Sequence, residues 1–356
     1  MTQSPSRAII TPRLDPWLVG GFSILVLVGF LILSSAIPQE MILGNFLVLT
    51  VLLNGTHFMA SYSLLYSSGE YIRRYRAAAV VMPIGLLIVG ALGLWSATPP
   101  RADTTIIQGI LIITALYLAL HYTGQVWGMM ASYAFIHGIR FTSGERTLLR
   151  GCLRTMALWQ MTWALTTSPS YIPVALRAYA PPCMQLLNVL AIASLFIGAA
   201  TLAHLRKRIE APLPPTIVLP YGSLYVWYIF LYIHPQSLFW VQIFHSIQYL
   251  SFPFRLEMNR FSLRTADSTS SERWRYLFKY SLALTAASLF VFVGIDKALN
   301  YPHGGFENYF LVLVSLINIH HYFIDGCIWH ISNPGVRSDL FAHVTPPGAD
   351  CQTNRS

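Results

Sequence analysis

The sequence predicts an all-α, polytopic membrane protein: a helix bundle of about ten transmembrane segments with the N- and C-termini both cytoplasmic. Three observations carry the prediction. Of 356 residues, 54% are apolar and only 10% charged, with a mean hydropathy of +0.53, whereas about a quarter of the residues of a soluble domain are charged. Apolar runs of about 20 residues, the length a helix needs to cross ~30 Å of hydrocarbon, recur along the whole chain. The basic residues, finally, collect in alternate connections between those runs.

Taken in order, residues 1–16 form a short cytoplasmic tail. The first span, 17–37, is too long for a signal-peptide core and lacks a small-residue cleavage motif, so an uncleaved helix is expected. The second, 41–67, contains LLNGTHFMASY and is followed by EYIRRYR and a third span at 77–97. The fourth, 105–136, is long and contains ALHYTGQVWGMMASYAF; after IRFTSGERTLLRGCLR comes the fifth, 154–167. A proline-bearing stretch up to 182 is read as external, with a short interfacial helix. The sixth span, 183–205, ends at RKR. The linker IEAPLPPTIVLP, with four prolines, is the clearest interruption, and a break at 209–220 would divide a single transmembrane domain, 17–333, into six helices and four. Spans seven (221–233), eight (236–253, with VQIFHSIQYLSF), nine (280–299) and ten (306–333) follow. The polar tail, 334–356, is expected to be mobile.

With the N-terminus inside, this layout puts all but Arg101, Arg177 and Lys297 of the 23 basic residues on the cytoplasmic side. An error of one helix would scramble that alternation, so the even count and the cytoplasmic ends support each other. The net charge of +9 is therefore a topology signal, and nucleic-acid binding is not expected. Cys152, Cys183, Cys327 and Cys351 include no C-x-x-C pair, which argues against a disulfide framework or a thiolate zinc site. No internal repeat points to a transporter with duplicated halves.

Five of the eleven histidines fall inside spans: His57 in the second, His121 in the fourth, His245 in the eighth, and His320 with His321 in the tenth. All four spans run the same way in this topology, which places the imidazoles between the midplane and the cytoplasmic third. Each has a polar neighbour at helical spacing: Asn54 for His57, Gln125 for His121, Gln248 for His245, and Asn318 or Asp325 for His321. Such neighbours are of the kind that orient metal-bound imidazoles. Polar groups in hydrocarbon cost several kcal/mol unless paired or ligated, so an intramembrane metal site is expected. The donors suit iron, copper or zinc, and two facing histidines would also suit haem. His137, His204, His234, His303, His330 and His343 lie at span ends or in loops and are expected to be solvated or interfacial. Tyr122, Trp127, Tyr249, Tyr322 and Phe323 adjoin the polar groups and could line a pocket for a flat or polyene substrate.

The motifs HF in THFMASY, HY in LHYTGQ, FHSIQYLSF and HHYFIDG, in that order across about three-quarters of the chain, resemble the Brp/Blh family of integral-membrane β-carotene cleavage dioxygenases. The resemblance implies a non-haem iron held by His57, His121, His245 and one of His320 or His321, with Asp325 in support. The family's Pro-His-Gly in the first motif is here Gly-Thr-His-Phe, and two further helices are expected. The H-x-x-H-H boxes of membrane desaturases are absent. The function expected is thus a metal-dependent oxygenase, with Asp325 and Gln125 as catalytic groups, acting on a lipophilic substrate from the surrounding lipid of a bacterial-type inner (plasma) membrane. The rival reading is a proton-coupled carrier in which the histidines, Asp325 and Gln125 form a relay; a third is a haem-binding membrane subunit.

Overall fold

The computed structural model describes residues 7–33, 47–167, 174–235, 238–265, 268–294, 307–329 and 334–344. Among them there is no strand. The helices are α1 (Trp17–Ile32), α2 (47–65), α3 (Ala77–Ala97), α4 (Thr105–Ile136), α5 (Ser143–Thr167), α6 (Ala180–Ile209), α7 (Pro215–Ile233), α8 (Leu238–Arg264), α9 (Ser270–Gly294), α10 (Glu307–Ile328) and the short α11 (Pro334–Leu340). A one-turn surface helix, Gly69–Arg74, and a 3-10 turn, Val174–Tyr179, complete the set. Six of these segments are long and apolar enough to cross a membrane: α3, α4, α7 and α9, the 177–209 segment that includes α6, and Tyr309–Ile328 of α10. The exterior fits that setting. Ile84, Leu87 and Leu92 on α3, Val189 and Phe196 on α6, and Phe278 and Phe290 on α9 are all exposed, while Asn54, Gln160, Ser223 and Gln248 are buried.

Several helices start earlier or run further than the apolar spans. Thr142 and Glu145 exchange side-chain-to-backbone hydrogen bonds of 2.8 and 3.2 Å, a capping box that starts α5 eleven residues before the apolar run. Thr269 and Glu272 do the same for α9. The prolines of the 209–220 linker do not hold the chain open: Pro215 takes the first turn of α7, where its missing N–H costs nothing. Apolar length marks only the part of a helix suited to hydrocarbon, and these helices continue into polar sequence.

Among the described residues, four π-helical turns interrupt the bundle, at Trp17–Gly21, Thr50–Gly55, Ala77–Val81 and Phe290–Gly294. The second is tied to the packing of α2 on α9. A Cβ on Gly55 would stand 1.9 Å from Ser288 Oγ, and that hydroxyl donates to the Val51 carbonyl at 2.7 Å. The neighbouring helix thus donates to a backbone carbonyl of the π-turn.

α2, α4, α8 and α10 form the centre. α10 packs on α2, α3 and α4; α8 packs on α2 and α9; α7 bridges α1 and α4, and α5 pairs with α6 and with α4. The first and last described segments, 7–15 and 334–344, meet at one end of the bundle. Asp15 accepts the backbone N–H groups of Ile9, Ile10 and Thr11 at 2.6, 2.9 and 3.1 Å, Arg255 of α8 donates to the carbonyls of Ile9 and Ile10, and His343 Nε2 lies 2.8 Å from the Ala8 carbonyl. Parts of both expected tails are therefore folded. Ala8 and Ile9 are buried, as are Val336, Leu340 and Phe341. His343, expected to be solvated, is held between Ala8 and Asn259. His303 and His330 lie outside the described residues.

Candidate metal centre

The four central helices each deliver one imidazole to a common point. His57 comes from the first turn after the π-turn of α2, His121 from the middle of α4, His245 from α8 and His321 from α10. Ring centroids are 4.3 Å apart for His57 and His321, 4.8 Å for His121 and His245, 4.9 Å for His57 and His245, 5.1 Å for His121 and His321, and 6.1 Å for His57 and His121. Asp325, one turn beyond His321, joins them. Its Oδ2 is 3.3 Å from His321 Nε2 and 3.9 Å from His121 Nε2. One ligand atom from each of His57, His121, His321 and Asp325 lies within 4.8 Å of all the others, so this group could hold a metal ion. His245 borders it, with Nε2 3.0 Å from His121 Nε2.

The donor set fits a metal by two observations. Ligands ~2.1 Å from an ion stand about 3.0–3.4 Å apart along the edges of an octahedron or tetrahedron, the range spanned by the His121–His245 and His321–Asp325 contacts. The second is lack of other partners. His57 Nε2 and both ring nitrogens of His321 are buried and make no hydrogen bond among the described residues, and each such atom costs about 1–3 kcal/mol if nothing binds it.

The groups around the centre fix the rings in place. Asp325 Oδ1 accepts Ser61 Oγ at 2.8 Å and Tyr249 Oη at 3.0 Å, which leaves Oδ2 turned to the imidazoles. Ser61 and Tyr249 also bond each other, and Trp329 Nε1 donates to Tyr249 Oη at 2.8 Å. His57 Nδ1 is 3.4 Å from both Asn54 Oδ1 and Ser246 Oγ. The Tyr322 ring stacks on His121 at 4.4 Å and is itself held by Asn318 through a 2.7 Å hydrogen bond.

Three sequence expectations need correction. His320 does not face the group: its Nε2 is 2.7 Å from the Ala78 carbonyl in the π-turn of α3, and its Nδ1 is 3.0 Å from Tyr62 Oη. Adjacent helical residues point about 100° apart, so when His321 turns inward His320 must turn toward α3 and α2. Gln248 is not a neighbour of the His245 ring; it donates to the Val19 carbonyl at 2.7 Å and to Ser223 at 3.1 Å, tying α8 to α1 and α7. Gln125 donates to the backbone carbonyl of His245 at 3.1 Å, not to His121. Ser61, Ser246 and Trp329 were not singled out from sequence. Ser61 stands one turn from His57 on α2, a spacing that could have found it.

A cavity of about 1040 Å³ opens beside the centre and is lined at its inner end by His121, Tyr249, Tyr322 and Asp325. Gln125 and Trp127 line it as well; Tyr122 instead packs its ring 4.5 Å from His245. Comparison with family models, curated proteins and solved structures gives no match to this chain.

Proposed function

We propose that the chain is an integral-membrane, metal-dependent oxygenase of ten transmembrane helices, with both ends in the cytoplasm of a bacterial-type cell, acting on a lipophilic substrate. The observation that carries the reading is a buried group of imidazoles and one carboxylate whose free ligand atoms converge beside a large cavity. Two histidines and a carboxylate with open positions are the usual donor set of non-haem iron oxygenases. His121, His321 and Asp325 supply that set here, with His57 and His245 as further nitrogen donors. The resemblance to the Brp/Blh family supports iron over zinc or copper. Haem fits poorly, since rings 4.3–6.1 Å apart leave no room for a macrocycle between them.

Iron held at such a site supplies activation of dioxygen. The remaining work falls to the chain itself. Ser61 and Tyr249 hold Asp325 by one oxygen so that the other faces the rings. Tyr322 fixes the plane of His121 and forms a wall of the cavity. Gln125 holds the α8 backbone at His245. The cavity accepts a long apolar chain, carotenoid-like in the resembled family, and brings it against His121 and Asp325.

The test is isotopic. Iron-loaded protein given a polyene substrate under ¹⁸O₂ should release labelled product, and His121→Ala should not. Unlabelled product from the iron-loaded wild type would overturn the reading. A proton relay is the second reading, favoured by the direct 3.0 Å contact between His121 and His245. It requires no metal and would show instead as proton flux across proteoliposomes.

A further inference from the structure

The cavity does not end in apolar surface. From the centre it follows one stripe of α4, past Gly124, Gly128, Ala131 and Ser132, to the end of that helix. The stripe is bare: a Cβ built on Gly124 or Gly128 meets nothing within 4 Å, and the same holds for Gly326, which faces the cavity from α10 beside Asp325. At the far end Gly138, with φ +70°, closes α4 in the left-handed conformation that glycine adopts without strain, and the chain turns into the 140–146 segment. Four arginines line the cavity there: Arg140, Arg146 and Arg150 from the α4–α5 connection and α5, and Arg337 from α11.

Two arginines outside the cavity at this end of the bundle have carboxylate partners. Arg208 is paired with Glu145 by two hydrogen bonds of 2.9 Å, and Arg260 with Asp339 and Glu257 at 2.9 and 3.1 Å. The cavity arginines have no acidic partner among the described residues, and all four are exposed. Arg146 and Arg150 stand one helical turn apart, so their like charges share a face, an unfavourable arrangement without an anion between them. The positive-inside rule explains cationic residues at this end. It does not by itself gather four of them, one with its guanidinium 6.0 Å from the Trp127 ring, around the rim of one cavity. Guanidinium forks match carboxylate and phosphate oxygens two by two. His121 and Ile136 are fifteen positions apart on α4, about 22 Å at ~1.5 Å per residue, more than the ~15 Å acyl depth of one leaflet.

We propose that the substrate is a single-chain amphiphile with an anionic oxyanion head, carboxylate or phosphate, held at the rim by Arg140, Arg146, Arg150 and Arg337, with its chain lying along the bare face of α4 and its reactive carbons reaching His121 and Asp325. The proposal deepens the oxygenase reading and rests on it for what happens at the inner end, but binding alone tests it. A purely hydrocarbon polyene gives the arginines nothing to hold.

The experiment is equilibrium binding of radiolabelled palmitate, hexadecyl phosphate and hexadecanol to the full-length protein in phosphatidylcholine nanodiscs, with empty nanodiscs subtracted and the metal content assayed on the same sample. Both anions, or one of them if the head is selective, should bind at least ~10-fold tighter than the alcohol, the scale of one charge-assisted contact. Arg146→Gln with Arg150→Gln should abolish that preference and leave the alcohol unchanged. Gly128→Trp, which fills the stripe, should weaken all three, with Gly124→Leu as the smaller plug should that variant fail to fold. Inorganic phosphate at equal concentration should displace none of them. Equal affinity for alcohol and anions in the wild type, a preference that survives the double arginine variant, displacement by inorganic phosphate, or anion binding unaffected by both plugs would each overturn the proposal. The two readings fail separately: anion preference without bound metal removes the oxygenase and keeps this site, whereas metal without anion preference does the reverse.

Discussion

Replacing each of two adjacent histidines separates the metal group from its surroundings. His320→Ala removes two contacts, to the Ala78 carbonyl at 2.7 Å and to Tyr62 Oη at 3.0 Å. Each orphaned buried group costs about 1–3 kcal/mol; because the tyrosine hydroxyl can reorient, the sum is about 2–4 kcal/mol. At ~2–4 °C per kcal/mol the melting temperature should drop by roughly 4–16 °C. Metal retention should stay near the wild-type value, since neither nitrogen of His320 faces the centre. His321→Ala should do the opposite. Its nitrogens make no hydrogen bond to lose, so the metal-free melting temperature should move less, while metal affinity should fall by more than the ~10–100-fold typical of losing an outer partner. Both are measured on detergent-purified protein, by metal retained after graded chelator dialysis and by intrinsic-fluorescence melting. If His320→Ala sheds metal as readily as His321→Ala, the assignment of the two rings is wrong.

Asp325→Asn keeps an acceptor for Ser61 and Tyr249 but removes the anionic oxygen 3.3 Å from His321 Nε2. Metal retention should fall as far as with a lost histidine, and a milder loss would make Asp325 an orienting group only. A Cβ on Gly20 would stand 2.6 Å from the Leu219 carbonyl oxygen, a backbone atom that cannot swing away, so Gly20→Ala should cost about 1–3 kcal/mol; an unchanged melting curve would refute the close approach of α1 and α7. Burial, then the nearby Arg255 charge, lowers the pKa of His343 to about 4, below the ~6.5 of an unfolded chain. Unfolded protein thus binds the extra proton between these values, so the contact between the chain ends is at full strength above pH ~6.5 and is lost as pH falls through about 4. Proteolysis of the C-terminal segment should accelerate across that window, and His343→Asn should flatten the profile; constant protection down to pH 4 would contradict it.

The helical bundle was legible because hydropathy alone reports which segments are long and apolar, and the convergence of His57, His121, His245 and His321 was legible because polar rings in such segments need partners. Choosing between His320 and His321 was not, since neighbouring residues carry the same hydropathy and only the rotation of α10 against the Ala78 carbonyl decides between them. Gln248 and Gln125 misled for a related reason. Spacings of three and four residues put groups on one face, but their partners came from other helices, Val19 on α1 and the His245 backbone on α8. The π-turn that precedes His57 leaves no mark in the pattern, because it rests on Gly55 and Ser288, remote in sequence. The folded parts of the two tails, 7–15 and 334–344, were hidden by their polarity: Asp15 and Arg255 are satisfied by backbone groups 4–6 and about 245 residues away.

The most direct measurement is X-ray absorption on the wild-type protein after metal analysis. The account predicts close to one iron per chain, with an inner shell of nitrogen and oxygen at about 2.0–2.2 Å and the outer-shell scattering of three or four imidazoles. A metal-free protein that still turns over, or an ion with no imidazole in its shell, would contradict it.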